Sequence, residues 1–116
     1  MRLKLIIALV NDDKTEVVID AARAGGATGA TIVNSVRGEG LVPDRTFFGL
    51  GLATMRDIIM FLVVEQRARD ILERIGEAAN FDEEPGAGIA FQLDIEDAVG
   101  LVTQLPTFHK ELELEI

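Results

Sequence analysis

Ile58-Ile59-Met60-Phe61-Leu62-Val63-Val64 runs straight into Glu65-Gln66-Arg67-Ala68-Arg69-Asp70-Ile71-Leu72-Glu73-Arg74-Ile75-Gly76-Glu77-Ala78-Ala79, and the apolar spacing changes at the join. The first part is continuously apolar, as in a strand covered on both faces. From Glu65 onward Ala68, Ile71, Leu72, Ile75 and Ala79 recur at helical spacing, which predicts a helix with one buried stripe. The same succession occurs upstream. Leu3 to Val10 is an apolar strand, and Asn11, Asp12 and Asp13 offer N-cap oxygens to a helix from about Lys14 to Ala24. Val18, Ala21 and Ala22 share one face of that helix, and Gly25-Gly26 close it.

Each helix returns to a strand, Thr31 to Val36 after the first and Ile89 to Ile95 after the second. Asp94 is placed to cap a short helical turn from Ile95 to about Val102. The resulting order, βαββαβ, is that of an α+β ferredoxin-like sandwich, an antiparallel sheet with two helices on one face. The halves echo each other: Ile6-Ile7-Ala8-Leu9-Val10, helix, Gly29-Ala30-Thr31-Ile32-Val33 parallels Ile59 to Val64, helix, Gly88-Ile89-Ala90-Phe91. After Pro106, Glu111-Leu112-Glu113-Leu114-Glu115-Ile116 alternates strictly, so the C-terminal tail (104–116) is expected to carry a half-buried edge strand. Such an edge can pair with a neighbouring subunit, or its charged face can guard against aggregation.

A length of 116 residues sets one domain over 1–116. Hydrophobic content of 48% with 5% aromatic residues, no Trp and no Tyr, describes a core of Ile, Leu, Val and Ala and excludes a disordered chain. The net charge of −9 argues against nucleic acid and against anionic lipid as partners. Without Cys there is neither a disulfide framework nor a thiolate metal site, which fits a cytoplasmic protein. The apolar N-terminus is too short for a signal peptide and runs into Asp12-Asp13. The apolar region from Phe47 to Val64 is interrupted by Arg56 and Asp57, whereas a membrane span needs roughly 20 apolar residues.

No catalytic constellation is assembled in the sequence, so an enzyme is not expected. His109 stands in the tail without a Cys or Ser motif around it. The carboxylates at Asp12-Asp13, Asp82-Glu83-Glu84 and Asp94/Glu96/Asp97 lack the spacing of a cation-binding loop and read as caps and solvated surface. Arg67, Arg69 and Arg74 read as the polar face of the second helix.

Two glycine-bearing passages remain, Gly25-Gly26-Ala27-Thr28-Gly29-Ala30-Thr31 and Pro85-Gly86-Ala87-Gly88-Ile89, each between a helix and a strand. Glycine lets a ligand lie against backbone N–H groups, which suits anions, but it is also the default residue of helix-to-strand turns. Between the second and third strands, Arg37 to Arg56 is too long for a hairpin and carries Phe47-Phe48-Gly49-Leu50-Gly51-Leu52. Two adjacent phenylalanines either fold onto the body of the protein or dock on a partner.

Gly26-Ala27-Thr28-Gly29-Ala30-Thr31-Ile32, Val36-Arg37-Gly38-Glu39-Gly40 at the base of the long loop, Leu62-Val63-Val64 before a helix, and Gly86-Ala87-Gly88-Ile89-Ala90-Phe91 resemble the PII signal-transduction proteins in order and spacing, over roughly residues 3 to 103. The resemblance implies a ferredoxin-like homotrimer with adenine nucleotides in clefts between subunits. It also implies a long loop, the T-loop (37–56 here), that docks on target enzymes and membrane transporters in nitrogen regulation. By the same resemblance Gly29, Thr31, Arg37, Gly38, Gly40, Gly86 and Gly88 become ligand-binding positions, and Phe47 and Phe48 become the partner-binding tip.

The chain departs from the family at the phosphate-binding cations. Ile89 stands where the family has Lys after the second glycine of the 86–88 loop, Leu41-Val42 stand in place of Arg-Gln, and the arginines that follow the last strand are absent. Each lost charge-assisted hydrogen bond forfeits about 1.5 to 3 kcal/mol. A ligand with few phosphates, AMP or ADP, or a small anion is therefore expected in place of MgATP, and the 2-oxoglutarate response that depends on MgATP should be lost. The alternative is a structural or metal-tolerance trimer of the CutA type, with the same build and no nucleotide loop.

Overall fold

The computed structural model describes residues 1–38, 41 and 55–113. Its elements are β1 (Leu3–Asn11), α1 (Thr15–Ala24), β2 (Thr31–Val36), β3 (Arg56–Val64), α2 (Glu65–Ala78), β4 (Gly88–Asp94) and α3 (Leu105–Glu113), with 3-10 turns at Asp12–Lys14 and Val102–Gln104. The four strands form one antiparallel sheet in the order β2-β3-β1-β4. This is the ferredoxin-like arrangement expected from the alternation of strand and helix. The two central strands are the most continuously apolar, as strands with neighbours on both sides should be.

Register assigns the two faces. Ile6 pairs with Phe61 and Gln92, and Ala8 with Ile59 and Ala90, so these residues share the face that meets the helices. Val18 and Ala22 of α1 and Ala68, Ile71 and Ile75 of α2 are packed onto it, and all are essentially inaccessible. Burying one Ile contributes about 1.5–3 kcal/mol, so the helical stripe of α2 is a principal source of cohesion. The opposite face is also apolar. Leu5 pairs with Leu62 and Leu93, and Ile7 with Met60 and Phe91, yet Leu62 is 36% exposed, Phe91 38% and Leu93 46%. No helix covers the centre of this face among the described residues.

Two sequence expectations are corrected. The tail does not form an edge strand over 111–113: these residues close α3, and 114–116 lie outside the described residues. Pro106 is tolerated in a first helical turn, and Leu101, Leu105, Phe108 and Leu112 carry a helical period that outweighs the short alternation after it. Phe108 is 5% exposed and packs with Leu3 and Val64. Residues 95–101 are not helical either, because Asp94 stays in β4 and pairs with Lys4 across β1 instead of capping a turn.

Candidate functional site

Helix α1 ends by donating the Gly25, Gly26 and Ala27 N–H groups to the Ala21, Arg23 and Ala22 carbonyls at 3.0–3.1 Å. Gly26 has φ +107°, which only glycine adopts cheaply, and the Arg67 side chain lies across it. At Gly25 a Cβ would come within 2.9 Å of Ile71 Cγ1, so close helix packing requires glycine there. Both glycines are thus explained by the fold. Gly29 is not: a Cβ added there meets nothing within 4 Å. Thr31, two residues further on, opens β2 and is exposed.

The second passage is held by the turn between β1 and α1. Asn11 donates from Nδ2 to the Gly86 carbonyl at 2.9 Å and from its backbone N–H to the Ala87 carbonyl at 3.2 Å. Lys14 Nζ meets Glu84 at 2.7 Å, and that hydrogen bond raises the lysine above its ordinary pKa. Gly86 has φ +81°. At Gly88 a Cβ would lie 2.7 Å from Phe81 Cε1 and 2.8 Å from the Leu9 carbonyl oxygen, so this glycine is demanded by packing inside the chain.

Arg37 and Gly38 follow β2 directly. Three segments are tied together there by Asp57, which is 7% exposed. Its Oδ2 accepts from Thr15 Oγ1 at 2.5 Å and its Oδ1 from the Ser35 N–H at 3.2 Å. Ser35 occupies φ +60° within a bulge between Val33 and Val36, where β2 shifts register against β3. The carboxylate gives that irregular N–H a partner and fixes the angle at which the chain leaves the sheet. Arg56 is 2% exposed at the start of β3. Gly40, Phe47 and Phe48 lie outside the described residues.

The two glycine passages do not meet within one chain. Gly29 and Thr31 belong to the β2 edge of the sheet, Gly86 and Gly88 to the β4 edge, and β3 and β1 lie between. At about 4.8 Å per strand spacing, the two edge strands are roughly 14 Å apart. Sequence reading missed three features near these passages. The Asp57–Thr15–Ser35 cluster left no signal because its members are far apart in sequence. Arg67 was assigned to a solvent face but covers Gly26. Helix α3 was hidden behind the alternation of the tail.

A single antiparallel ferredoxin-like sandwich with a long stretch of sequence between β2 and β3, and glycine passages before its two edge strands, defines the class. The sequence profile of the nitrogen regulatory protein P-II family matches residues 3–104, and the chain belongs to that family. Among solved structures, CPII of Thiomonas intermedia K12 bound to ADP, AMP and acetate is 24% identical, with 84% of this chain and 89% of that chain covered and a TM-score of 0.65. A PII-like signaling protein of Thermus thermophilus is 24% identical over 82% of this chain and 88% of that chain, with a TM-score of 0.61. A further CPII structure, bound to ADP, AMP and bicarbonate, is 22% identical, covers 82% and 87% of the two chains, and has a TM-score of 0.61. No curated protein sequence matches the chain. Among the described residues, no helix is long and apolar enough to cross a membrane, and no cluster of three or more His, Cys, Asp or Glu side chains could hold a metal.

Proposed function

We propose that this chain is a non-enzymatic regulatory subunit of the PII-like type, a single domain over 1–116 that acts in the cytoplasm as a homotrimer. It binds an adenine nucleotide or a small anion between subunits and controls a target protein through residues 37–56, a membrane transporter being one candidate. The observation that carries this reading is the placement of Gly29 and Thr31 on one sheet edge and of Gly86 and Gly88 on the other. Only the β2 edge of one subunit against the β4 edge of the next could make them one cleft. The apolar second face of the sheet supplies the driving force for such assembly, since Leu62, Phe91 and Leu93 are left partly in water in the single chain.

AMP and ADP are the ligands proposed, with bicarbonate as the small anion to be tested beside them. Structures of CPII hold ADP, AMP and bicarbonate. In this chain Ile89 occupies the position after Gly88, and the Ala87 N–H is already donated to the Glu84 carbonyl, so the 86–88 loop has no cation of its own for a triphosphate. Phe47 and Phe48 are the proposed anchors for the target. Family membership favours this reading over a CutA-type trimer, because the profile match extends through both glycine passages. Calorimetric titration with AMP, ADP, MgATP and bicarbonate, beside light scattering, tests it. Three-fold mass with AMP or ADP binding at least as tight as MgATP is expected. A stable monomer, or tight MgATP binding strengthened by 2-oxoglutarate, contradicts it.

A further inference from the structure

Two of the segments read above as ligand-binding do meet within one chain. Across the end of the sheet the backbone runs from the 86–88 passage to Asn11 at the end of β1, Arg56 at the start of β3, and Val36 leading into Arg37 and Gly38. Asn11 is tied to the first of these through its Nδ2 and its backbone N–H, which donate to the Gly86 and Ala87 carbonyls. It stands directly opposite Arg56 in the register of β1 and β3. The two side chains therefore leave the sheet on one face, with Cβ atoms about 5 Å apart.

Each side chain calls for something the other cannot supply alone. Arg56 is 2% exposed, and a charge so far from water is kept where negative or accepting groups surround it. Its guanidinium stays protonated and presents N–H donors in a planar fork that matches a planar oxyanion. Asn11 Oδ1 is buried and accepts no hydrogen bond among the described residues, although buried polar atoms are nearly always bonded. Turning the amide round gives no relief, because Oδ1 would then face the Gly86 carbonyl oxygen that Nδ2 now satisfies. A donor is wanted at Oδ1, beside a buried cation.

We infer that Asn11 and Arg56 form a site for a small planar oxyanion that carries one O–H. Arg56 draws the charged oxygens, and Asn11 Oδ1 accepts the hydroxyl proton. Bicarbonate has that shape, charge and proton, whereas nitrate has the shape and charge without the proton. The inference rests on the small-anion part of the reading above. It gives a binding role to two residues whose sequence pattern showed only a helix cap and an interruption of an apolar run.

The test is calorimetric titration of the full chain with sodium bicarbonate and with sodium nitrate, in closed cells at mildly alkaline pH, for the wild type and for Asn11→Ala, Arg56→Gln and Arg56→Lys. The wild type is expected to bind bicarbonate about tenfold or more ahead of nitrate, the worth of one charge-assisted hydrogen bond. Arg56→Gln should weaken both anions about tenfold or more, and Asn11→Ala should bring bicarbonate down to the level of nitrate while nitrate itself is little changed. Arg56 is buried, so Arg56→Lys, which keeps the charge, stands in if the glutamine variant does not fold; it should still bind bicarbonate ahead of nitrate. Repeating the titration with AMP bound separates free bicarbonate from a nucleotide phosphate. Undiminished bicarbonate binding is expected, and displacement by AMP would give the site to the phosphate and overturn the assignment. Equal affinity for the two anions in the wild type, or an Asn11→Ala chain that loses both in proportion, overturns it alone. If the wild type binds neither anion, the small-anion reading falls with it, and titration with AMP decides the nucleotide reading separately.

Discussion

Gly29 and Gly88 look alike in the sequence, and the structure separates them sharply enough to predict opposite outcomes for one substitution. A Cβ at Gly88 would stand 2.7 Å from Phe81 Cε1, 2.8 Å from the Leu9 carbonyl oxygen and 2.9 Å from Val10 Cγ1. The phenyl ring can swing, but Leu9 is fixed in β1 opposite Ile89, so backbone has to move. Overpacking of that kind costs about 1–3 kcal/mol. For a domain of this length the melting temperature should fall by roughly 4 °C per kcal/mol. At Gly29 the same methyl group meets nothing within 4 Å, and stability should stay within about 0.5 kcal/mol. Urea unfolding at one fixed protein concentration, with nucleotide absent, measures both variants free of ligand linkage. Gly88→Ala unfolding at the wild-type midpoint, or Gly29→Ala losing more than about 1 kcal/mol, would refute the assignment of one glycine to packing and the other to open space.

Asp57→Ala should leave the buried Thr15 hydroxyl without its acceptor, at a cost of about 1–3 kcal/mol, and release the N–H of the exposed Ser35 to water. Limited proteolysis should then cut faster between residues 37 and 55 than in the wild type, and unchanged cleavage would argue against the clamp. Asp94 is held below its ordinary pKa, chiefly by its hydrogen bond from Lys4, so its contribution is present above the unfolded carboxylate value and lost as pH falls through the folded one. The stability difference between wild type and Lys4→Met should accordingly shrink as pH falls through and below the ordinary carboxylate range, and a difference independent of pH would contradict the pairing. Replacing Phe47 and Phe48 together with Ser should preserve assembly and AMP binding but end capture of the target in a pull-down. Unfolding of that double variant would place both rings in the core instead.

The sandwich was legible because its signals are local. The period change at Val64–Glu65, the apolar β1 and the glycines closing α1 each fix one element, and βαββαβ then leaves few ways to pair the strands. The tail was misread because a short alternation fits a strand while Leu101, Leu105 and Phe108 fit a helix, and only packing on Leu3 and Val64 decides between them. The site was legible as residue types and not as geometry. Sequence pattern cannot show that Gly88 is filled by its own chain, that Asp57 reaches Thr15 and Ser35, or that Asn11 stands between Gly86 and Arg56, because these contacts join residues far apart in the chain.

The central claim, one ligand site shared between two subunits, is tested most directly by complementation. Gly29→Val blocks the β2 half and Gly86→Asp, at φ +81° where Asp is tolerated, repels an anion from the β4 half. Each variant alone should bind no AMP. Co-expressed in equal amounts and assembled at random into head-to-tail rings, they should recover about a quarter of the wild-type sites, since each mixed ring contains one interface with both halves intact. Calorimetric stoichiometry near that fraction is the predicted result. Mixed assemblies that remain unable to bind AMP, or either variant binding it alone at full stoichiometry, would contradict the account.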